Sequence, residues 1–306
     1  MQTKVKLTKR VVSLATALVT GLSAVGVTGI PGGVFGTLSA SAEDGHNYVN
    51  GFCTDEGCAS PYEPATEENG TYQIANAGNL YWFAEQVNDG NANLNAALTT
   101  DIVVNEGNLA NYDGTSENTW REWTPIAADY GRYKGTFDGQ GHTISGLYFN
   151  DSSAECIGIV GDLGRGGVIQ NVGLENSYFH VYQYTAGICG YNSGTIRNCY
   201  NAGTVIGKSD VGGVCGNNMM RSNTIENCYN TGNITGDMDL GGICGENTAN
   251  AIIKNCYNIG NVTGTDKRIG GIIGRNASKF VENCYNTGTV TSTGENTDTV
   301  GGVCGL

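Results

Sequence analysis

The chain has 306 residues, among them 48 Gly, 34 Asn, 11 Cys and 4 Pro, and carries 16 Lys and Arg against 29 Asp and Glu for a net charge of −13. That balance argues against nucleic acid or anionic membrane as a partner, because neutralising phosphate takes clustered Lys and Arg. Gly at roughly twice its usual share, with few long charged side chains, disfavours a helical bundle and points to many turns.

Lys4, Lys6, Lys9 and Arg10 precede an apolar run from Val11 to Ile30, followed by small residues ending Ala40-Ser41-Ala42. This is the pattern of a secretory signal, residues 1–42, cleaved before Glu43; the alternative is an uncleaved anchor, since about 20 residues can just span a bilayer, although Gly, Ser and Thr dilute the run. A secreted or cell-surface location is therefore expected, and no later stretch is apolar for long enough to span a bilayer. Residues 43–70 read as an acidic, turn-rich linker containing His46, Cys53 and Cys58. One His and two Cys fall short of the four ligands of a structural zinc site. In an exported segment the two Cys can also close a small disulfide loop. Disulfide, metal and unpaired thiols all stay open.

Residues 71–155 read as an N-terminal cap and the first coils of a solenoid. Leu80, Phe83, Ala84 and Val87 recur at helical spacing between Ala77 and Asp89 and predict one amphipathic helix. Leu98 to Val104 and Tyr133 to Phe149 read as short strands broken by Gly-rich turns such as Asp138-Gly-Gln-Gly141.

From residue 156 to 306 the chain repeats itself. The unit is I-x-N-C-Y-N-x-G-x-[IV], a variable turn, then G-G-[IV]-C-G, seen from Ile196, Ile225, Ile253 and Val281, with a degenerate copy from Ile169. The Asn-Cys-Tyr cysteines fall at 199, 228, 256 and 284. Each unit holds about three runs suited to strands and no crossover helix. A unit this small cannot bury its apolar side alone, so successive units must stack, each strand pairing in parallel with its counterpart one turn along. The expected fold is an all-β parallel solenoid of about 28-residue coils spaced about 4.8 Å apart, with the helix as its cap.

Comparing copies assigns faces. Gln170, Arg197, Glu226, Lys254 and Glu282 are polar in every copy and so point outward, while Ile169, Ile196, Ile225, Ile253 and Val281 point inward. In register, the outward row alternates in charge, which favours one coil per repeat. Asn171, Asn198, Asn227, Asn255 and Asn283 suit a bend, since Asn tolerates left-handed backbone and its amide can bond a stacked neighbour. Cys at the next position is replaced by Val172 in one copy. A second column reads Val160, Cys189, Cys215, Cys244, Ile273 and Cys304. Cysteine exchanging with Val and Ile behaves as a small buried hydrophobe, and directly stacked side chains stay too far apart for a disulfide. Buried thiols are the expectation.

The unit G-T-I-R-N-C-Y-N-A-G-T-V-I-G with its closing V-G-G-V-C-G resembles the GLUG-motif repeats of bacterial surface and secreted proteins. The segments from Tyr72 and Tyr133 resemble stretches that usually precede such repeats. The resemblance covers roughly residues 71–306. It implies a right-handed parallel β-helix in an adhesin-like or multidomain extracellular protein, sometimes ahead of a catalytic module, and it supplies no catalytic motif.

Parallel β-helices also include polysaccharide lyases and hydrolases, so catalysis needs its own test. Asn296-Thr297-Asp298 matches one short polygalacturonase motif, but the Asp-Asp, Gly-His-Gly and Arg-Ile-Lys elements expected with it are missing. No zinc-protease helix motif and no Gly-x-Ser-x-Gly elbow occurs. His142 reads as a turn residue, and Asp237 with Asp239 as a solvated pair on a variable turn. No catalytic residue, cofactor or metal is assigned. The binding candidate is the column Tyr200, Tyr229, Tyr257 and Tyr285, whose rings beside Asn amides present a surface to a glycan or a host or bacterial surface protein. The competing reading is a ladder that only stabilises the coil. The expected role is display or adhesion without catalysis; the alternative is the non-catalytic front part of a carbohydrate-active enzyme or surface peptidase. Because the chain stops at Leu306 directly after a complete Gly-Gly-Val-Cys-Gly, continuation past this point is expected.

Overall fold

The computed structural model describes residues 46–219, 223–294 and 299–306. The signal segment and the Asn296-Thr297-Asp298 match lie outside these residues.

The repeats wind as a right-handed parallel β-helix whose coils form four hydrogen-bonded ladders. The first ladder runs through Thr136–Asp138, Val168–Gln170, Thr195–Arg197, Thr224–Glu226, Ile252–Lys254 and Phe280–Glu282. The second contains Gly173–Glu175, Tyr200–Asn201, Tyr229–Asn230, Tyr257–Asn258 and Tyr285–Asn286. The third holds the long strands Tyr178–Ala186, Thr204–Gly212 and Ile234–Gly241, and the fourth Cys189–Asn192, Cys215–Asn218, Cys244–Asn247 and Ile273–Asn276. A full coil thus has four strands where the sequence suggested three. The Tyr-Asn strand is only two residues long, too short for any periodicity to register.

The register is one coil per repeat. Ile169 lies opposite Ile196, which pairs in turn through Ile225 and Ile253 to Val281. The four Ile are fully buried. In the outward row Lys254 meets Glu226 at 2.8 Å, and Arg197 bonds Gln170; exposed pairs of this kind contribute little stability.

Asparagine turns the corners. Asn171, Asn198, Asn227, Asn255 and Asn283 all have φ between 52° and 54°, and from Asn198 onward each amide donates to its counterpart in the preceding coil. Two further amide ladders, not foreseen from the sequence, are buried up to their last members, Asn286 and Asn276, which are half-buried. Asn201, Asn230, Asn258 and Asn286 link at 2.8 Å, and Asn192, Asn218, Asn247 and Asn276 at 2.9 Å. Their donors also reach backbone carbonyls, as from Asn230 to Gly232. Asn230→Ala, which strands its neighbours' buried amide groups, is expected to cost about 2 kcal/mol, read as a lowered denaturation midpoint.

The Gly-Gly pair of the repeat is a steric consequence of this ladder. A Cβ on Gly213 would sit 2.3 Å from the carbonyl oxygen of Gly242 and 2.4 Å from the Asn230 amide. The Asn residues therefore occupy the volume that a side chain at the second Gly would need.

The interior is apolar, and cysteine fills it. Val160, Cys189, Cys215, Cys244, Ile273 and Cys304 stack in register as expected. Cys199, Cys228 and Cys256 are also fully buried, and nine cysteines carry unpaired sulfurs. Burial pushes the Cys189, Cys215 and Cys228 thiols well above their usual range, so these sulfurs act as packing atoms rather than nucleophiles. A smaller apolar cluster of Val205, Val211, Ile234, Leu240, Val262 and Ile269 fills the bend of the third ladder.

The helix spans Ala77–Asn88, with Asn76 capping it by accepting from the Asn79 N–H at 2.8 Å. Leu80, Phe83, Ala84 and Val87 are buried against the first coils, as their spacing required. Residues 46–70, expected as a linker, are packed. Tyr48–Val49 and Phe52–Cys53 form an antiparallel hairpin, Phe52 packs edge-on against Tyr62 and Tyr81, and Thr66–Glu68 adds an antiparallel strand to the first ladder. The acidic composition hid these aromatic contacts.

Candidate functional site

The tyrosine column is built by the corner that precedes it. The left-handed Asn sends the next residue, Cys, inward, the two-residue strand then puts Tyr out and the second Asn in, and parallel pairing repeats this at every coil. Tyr200, Tyr229, Tyr257 and Tyr285 stack with ring centroids 4.8, 4.9 and 5.2 Å apart and planes within 7° of parallel. At one end Tyr200 lies over Gly173, where a Cβ would fall 2.3 Å from the ring, and its hydroxyl donates to Glu175. Burial, then the Glu175 carboxylate, raises the Tyr200 pKa, and burial raises that of Tyr229. At the other end Tyr285 is 54% exposed.

Stacking decides what this column can offer. The ring faces are spent on one another, so the solvent side shows ring edges and hydroxyls, with the outer Asn171–Asn283 amides alongside. Among the described residues the hydroxyls of Tyr229, Tyr257 and Tyr285 have no protein partner. What remains is a row of phenol and amide groups repeating once per coil.

The other singled-out residues resolve differently. His142 Nδ1 lies 3.2 Å from Asp101, whose carboxylate also accepts from the Thr143 N–H; this is a turn contact, as expected. Asp239 is not solvated. It is buried and bound by the Arg268 guanidinium through two nitrogens, because in-register stacking brings a cation over it from the next coil. Asp237 accepts from Thr265. Cys53 and Cys58 form a disulfide, with His46 beside them.

Sequence reasoning missed a buried acidic cluster between the third and fourth ladders. Asn217 donates to both Asp210, at 3.0 Å, and Glu246, at 2.8 Å, and Glu246 also receives Arg275. Burial, reinforced by Glu246 and Asp239, pushes the Asp210 carboxyl up to about 7. Burial likewise lifts Asp162 to about 6. A shallow groove of about 390 Å³ on the third ladder is lined by His180, Tyr182, Lys208, Asp237 and Thr265. In the cluster the Ser209 hydroxyl donates to Asp210 at 2.6 Å, and in the groove the Thr265 hydroxyl donates to Asp237.

The fold and this face define a repeat solenoid with a periodic polar and aromatic surface. Residues 182–206, 236–263 and 266–291 match the GLUG motif, so the chain carries GLUG-motif repeats. It is 31% identical over 215 residues to Halomucin of Haloquadratum walsbyi, covering 66% of this chain and 2% of that protein. It is 32% identical over 79 residues to a candidate Gly-rich membrane protein of Evansella cellulosilytica, covering 25% of this chain and 9% of that one. The chain thus spans a small part of the relatives it matches. A crystal structure of a candidate immunoglobulin A1 protease from Bacteroides ovatus shares the fold at a TM-score of 0.52 and 22% identity, over 76% of this chain and 86% of that one. Among the described residues no helix is long and apolar enough to cross a membrane.

Proposed function

We propose that this chain is a non-catalytic, exported repeat module that binds a carbohydrate or protein partner along the second ladder, through Tyr200, Tyr229, Tyr257 and Tyr285 and the outer Asn amides. The observation that carries the reading is that, among the described residues, the hydroxyls of Tyr229, Tyr257 and Tyr285 have no protein partner and stand at coil spacing beside aligned amides. A repeating row favours a repeating ligand, because each coil adds a contact set that is already held in place. The acidic net charge points to neutral or cationic partners. Similarity to Halomucin and to a candidate Gly-rich membrane protein supports display at a surface.

A second reading is the non-catalytic front part of a larger surface peptidase or carbohydrate-active enzyme. It is favoured by the shared fold with the candidate immunoglobulin A1 protease and by the small share of its relatives that the chain spans.

The test compares Tyr229→Phe/Tyr257→Phe with Tyr229→Ala/Tyr257→Ala in a glycan and mucin-peptide binding screen. The Phe pair keeps the stack and removes the hydroxyls, so its melting temperature should be unchanged while binding falls at least tenfold. The Ala pair should lose both, with a stability loss of about 2 kcal/mol from the broken ring contacts. Ligand binding that survives in both pairs, with only the Ala pair melting lower, would reduce the column to a structural ladder.

A further inference from the structure

The hairpin at the N-terminal end gathers four metal-ligating side chains from the stretch H-N-Y-V-N-G-F-C-T-D-E-G-C. Pairing of Tyr48 with Cys53 brings His46 alongside the turn after the second strand. The turn is fixed there by Thr54 N–H bonding the Asn47 carbonyl and by Asn47 N–H bonding Asp55. His46 Nδ1 lies 3.2 Å from Cys58 Sγ, 3.8 Å from Cys53 Sγ and 3.8 Å from Asp55 Oδ2. Cys53 Sγ lies 3.8 Å from the same carboxylate oxygen. In tetrahedral zinc, with Zn–S near 2.3 Å and Zn–N or Zn–O near 2.0 to 2.1 Å, neighbouring ligand atoms sit about 3.3 to 3.8 Å apart. The four measured separations fall near those edge lengths. Of the two remaining edges, the one between the sulfurs is shorter because they are bonded to each other, and the one from Asp55 to Cys58 is longer, Asp55 lying outside the close group of His46, Cys53 and Cys58.

We propose that His46, Cys53, Asp55 and Cys58 form a redox-gated zinc site. In the oxidised chain the disulfide withholds both sulfurs, and the hairpin is stapled covalently. A dithiol reductant opens it: the cystine S–S bond breaks, two Cys S–H bonds form, and the reductant gives up its two thiol hydrogens and closes its own disulfide. Zn²⁺ then displaces both Cys protons to solvent and is held by two thiolates, the His46 ring nitrogen and the Asp55 carboxylate. Hydrogen peroxide reverses the change. The two thiolates give up two electrons and rejoin as a disulfide, the peroxide takes those electrons with two protons and leaves as two waters, and Zn²⁺ is released.

The gate acts on the cap of the solenoid. Phe52, next to Cys53, packs on Tyr62 and on Tyr81 of the helix, and the Arg121 guanidinium lies 3.7 Å over its ring. Zinc in the reduced state and the disulfide in the oxidised state therefore hold the same cover over the first coil. Of the other nine cysteines, eight lie along the two columns and Cys156 is buried apart from them. Among the described residues no close group of at least three His, Cys, Asp or Glu ligand atoms occurs away from the one that His46, Cys53 and Cys58 form.

Cobalt(II) is the probe, added to the full chain after reduction with a phosphine under anaerobic conditions. One equivalent should give a thiolate-to-cobalt charge-transfer band and tetrahedral d–d bands, displaced by Zn²⁺. The oxidised chain should give neither, and hydrogen peroxide should release bound zinc to an indicator dye. His46→Ala and Asp55→Ala should each weaken affinity at least tenfold, and Cys53→Ser/Cys58→Ser should abolish the bands. The double Cys variant keeps every buried Cys of the stacks, so its circular dichroism reports whether the solenoid is intact. Absence of the bands in the reduced chain, or their persistence in the double Cys variant, overturns the proposal. Equal binding by the oxidised chain overturns the gate.

Discussion

Gly242→Ala is expected to destabilise the solenoid by about 3 kcal/mol or more, while Gly302→Ala, the same motif position in the last described coil, leaves the stability of the 306-residue chain unchanged. A Cβ at Gly242 would lie 2.2 Å from the Asn258 amide carbon and 2.3 Å from the Gly271 carbonyl oxygen. Neither neighbour can give way. Asn258 is buried and tied to Asn230, Asn286 and Gly260, and the carbonyl belongs to the backbone of the next coil. A Cβ at Gly302 meets nothing within 4 Å. Both substitutions raise helix propensity and lower unfolded-chain entropy alike, so their difference isolates the close approach between coils. Thermal denaturation followed by circular dichroism reads it, with a drop of roughly 6 to 12 °C expected for Gly242→Ala alone. Equal melting temperatures would mean that the coils are not seated on one another as described. Because each coil contacts only its neighbours, the transition of the variant should also broaden as coils beyond residue 242 loosen first.

What the sequence disclosed was whatever repeats down a column. Ile169, Ile196, Ile225 and Ile253 could be placed inward, and Val160 through Cys304 lined up, because parallel stacking puts the same chemical demand on each copy and the copies can be compared with one another. Contacts between different columns stayed hidden. The second Gly of Gly-Gly and the second Asn of Asn-Cys-Tyr-Asn are invariant across the clear copies, yet nothing in their spacing says that they touch. The turn position occupied by Tyr184, Asp210, Asp239 and Arg268 varies, which made Asp239 look like solvated surface. All four share a left-handed backbone conformation. Charge read down that column, as along Arg197, Glu226 and Lys254, pairs Asp239 with Arg268. The tyrosine column was legible as a row, but not the orientation of its rings, which sets edges and hydroxyls outward and removes the faces from contact with a ligand.

Asp210→Asn is expected to stabilise the protein by about 3 kcal/mol at pH 8 and to change little at pH 4. Burial is the main cause that raises the Asp210 carboxyl from 3.8 to about 7, with the Glu246 and Asp239 carboxylates adding to it. Below 3.8 the group is protonated in the folded and unfolded chain alike and exerts no pH-dependent effect. Between 3.8 and about 7 the unfolded chain ionises first, so the folded chain holds the extra proton and stability falls as pH rises. Above about 7 both states are ionised, and the folded state bears the whole cost of a buried charge beside other carboxylates. Asp162, lifted by burial to about 6, slopes the same way. The native chain should therefore be most stable in mild acid, opposite to the usual behaviour of paired surface carboxylates. Asn suits the site on two counts. Residue 210 has φ 54°, which Asn tolerates well, and an Asn carbonyl can still accept from the Asn217 amide that now bonds Asp210 at 3.0 Å. Denaturant midpoints measured from pH 4 to 9 would show the native curve descending and the variant curve flatter, the gap opening through pH 5 to 7. Parallel curves would place the Asp210 proton elsewhere, and a variant weaker at pH 8 would mean that the ionised carboxylate is held by Ser209 and Asn217 strongly enough to offset its burial.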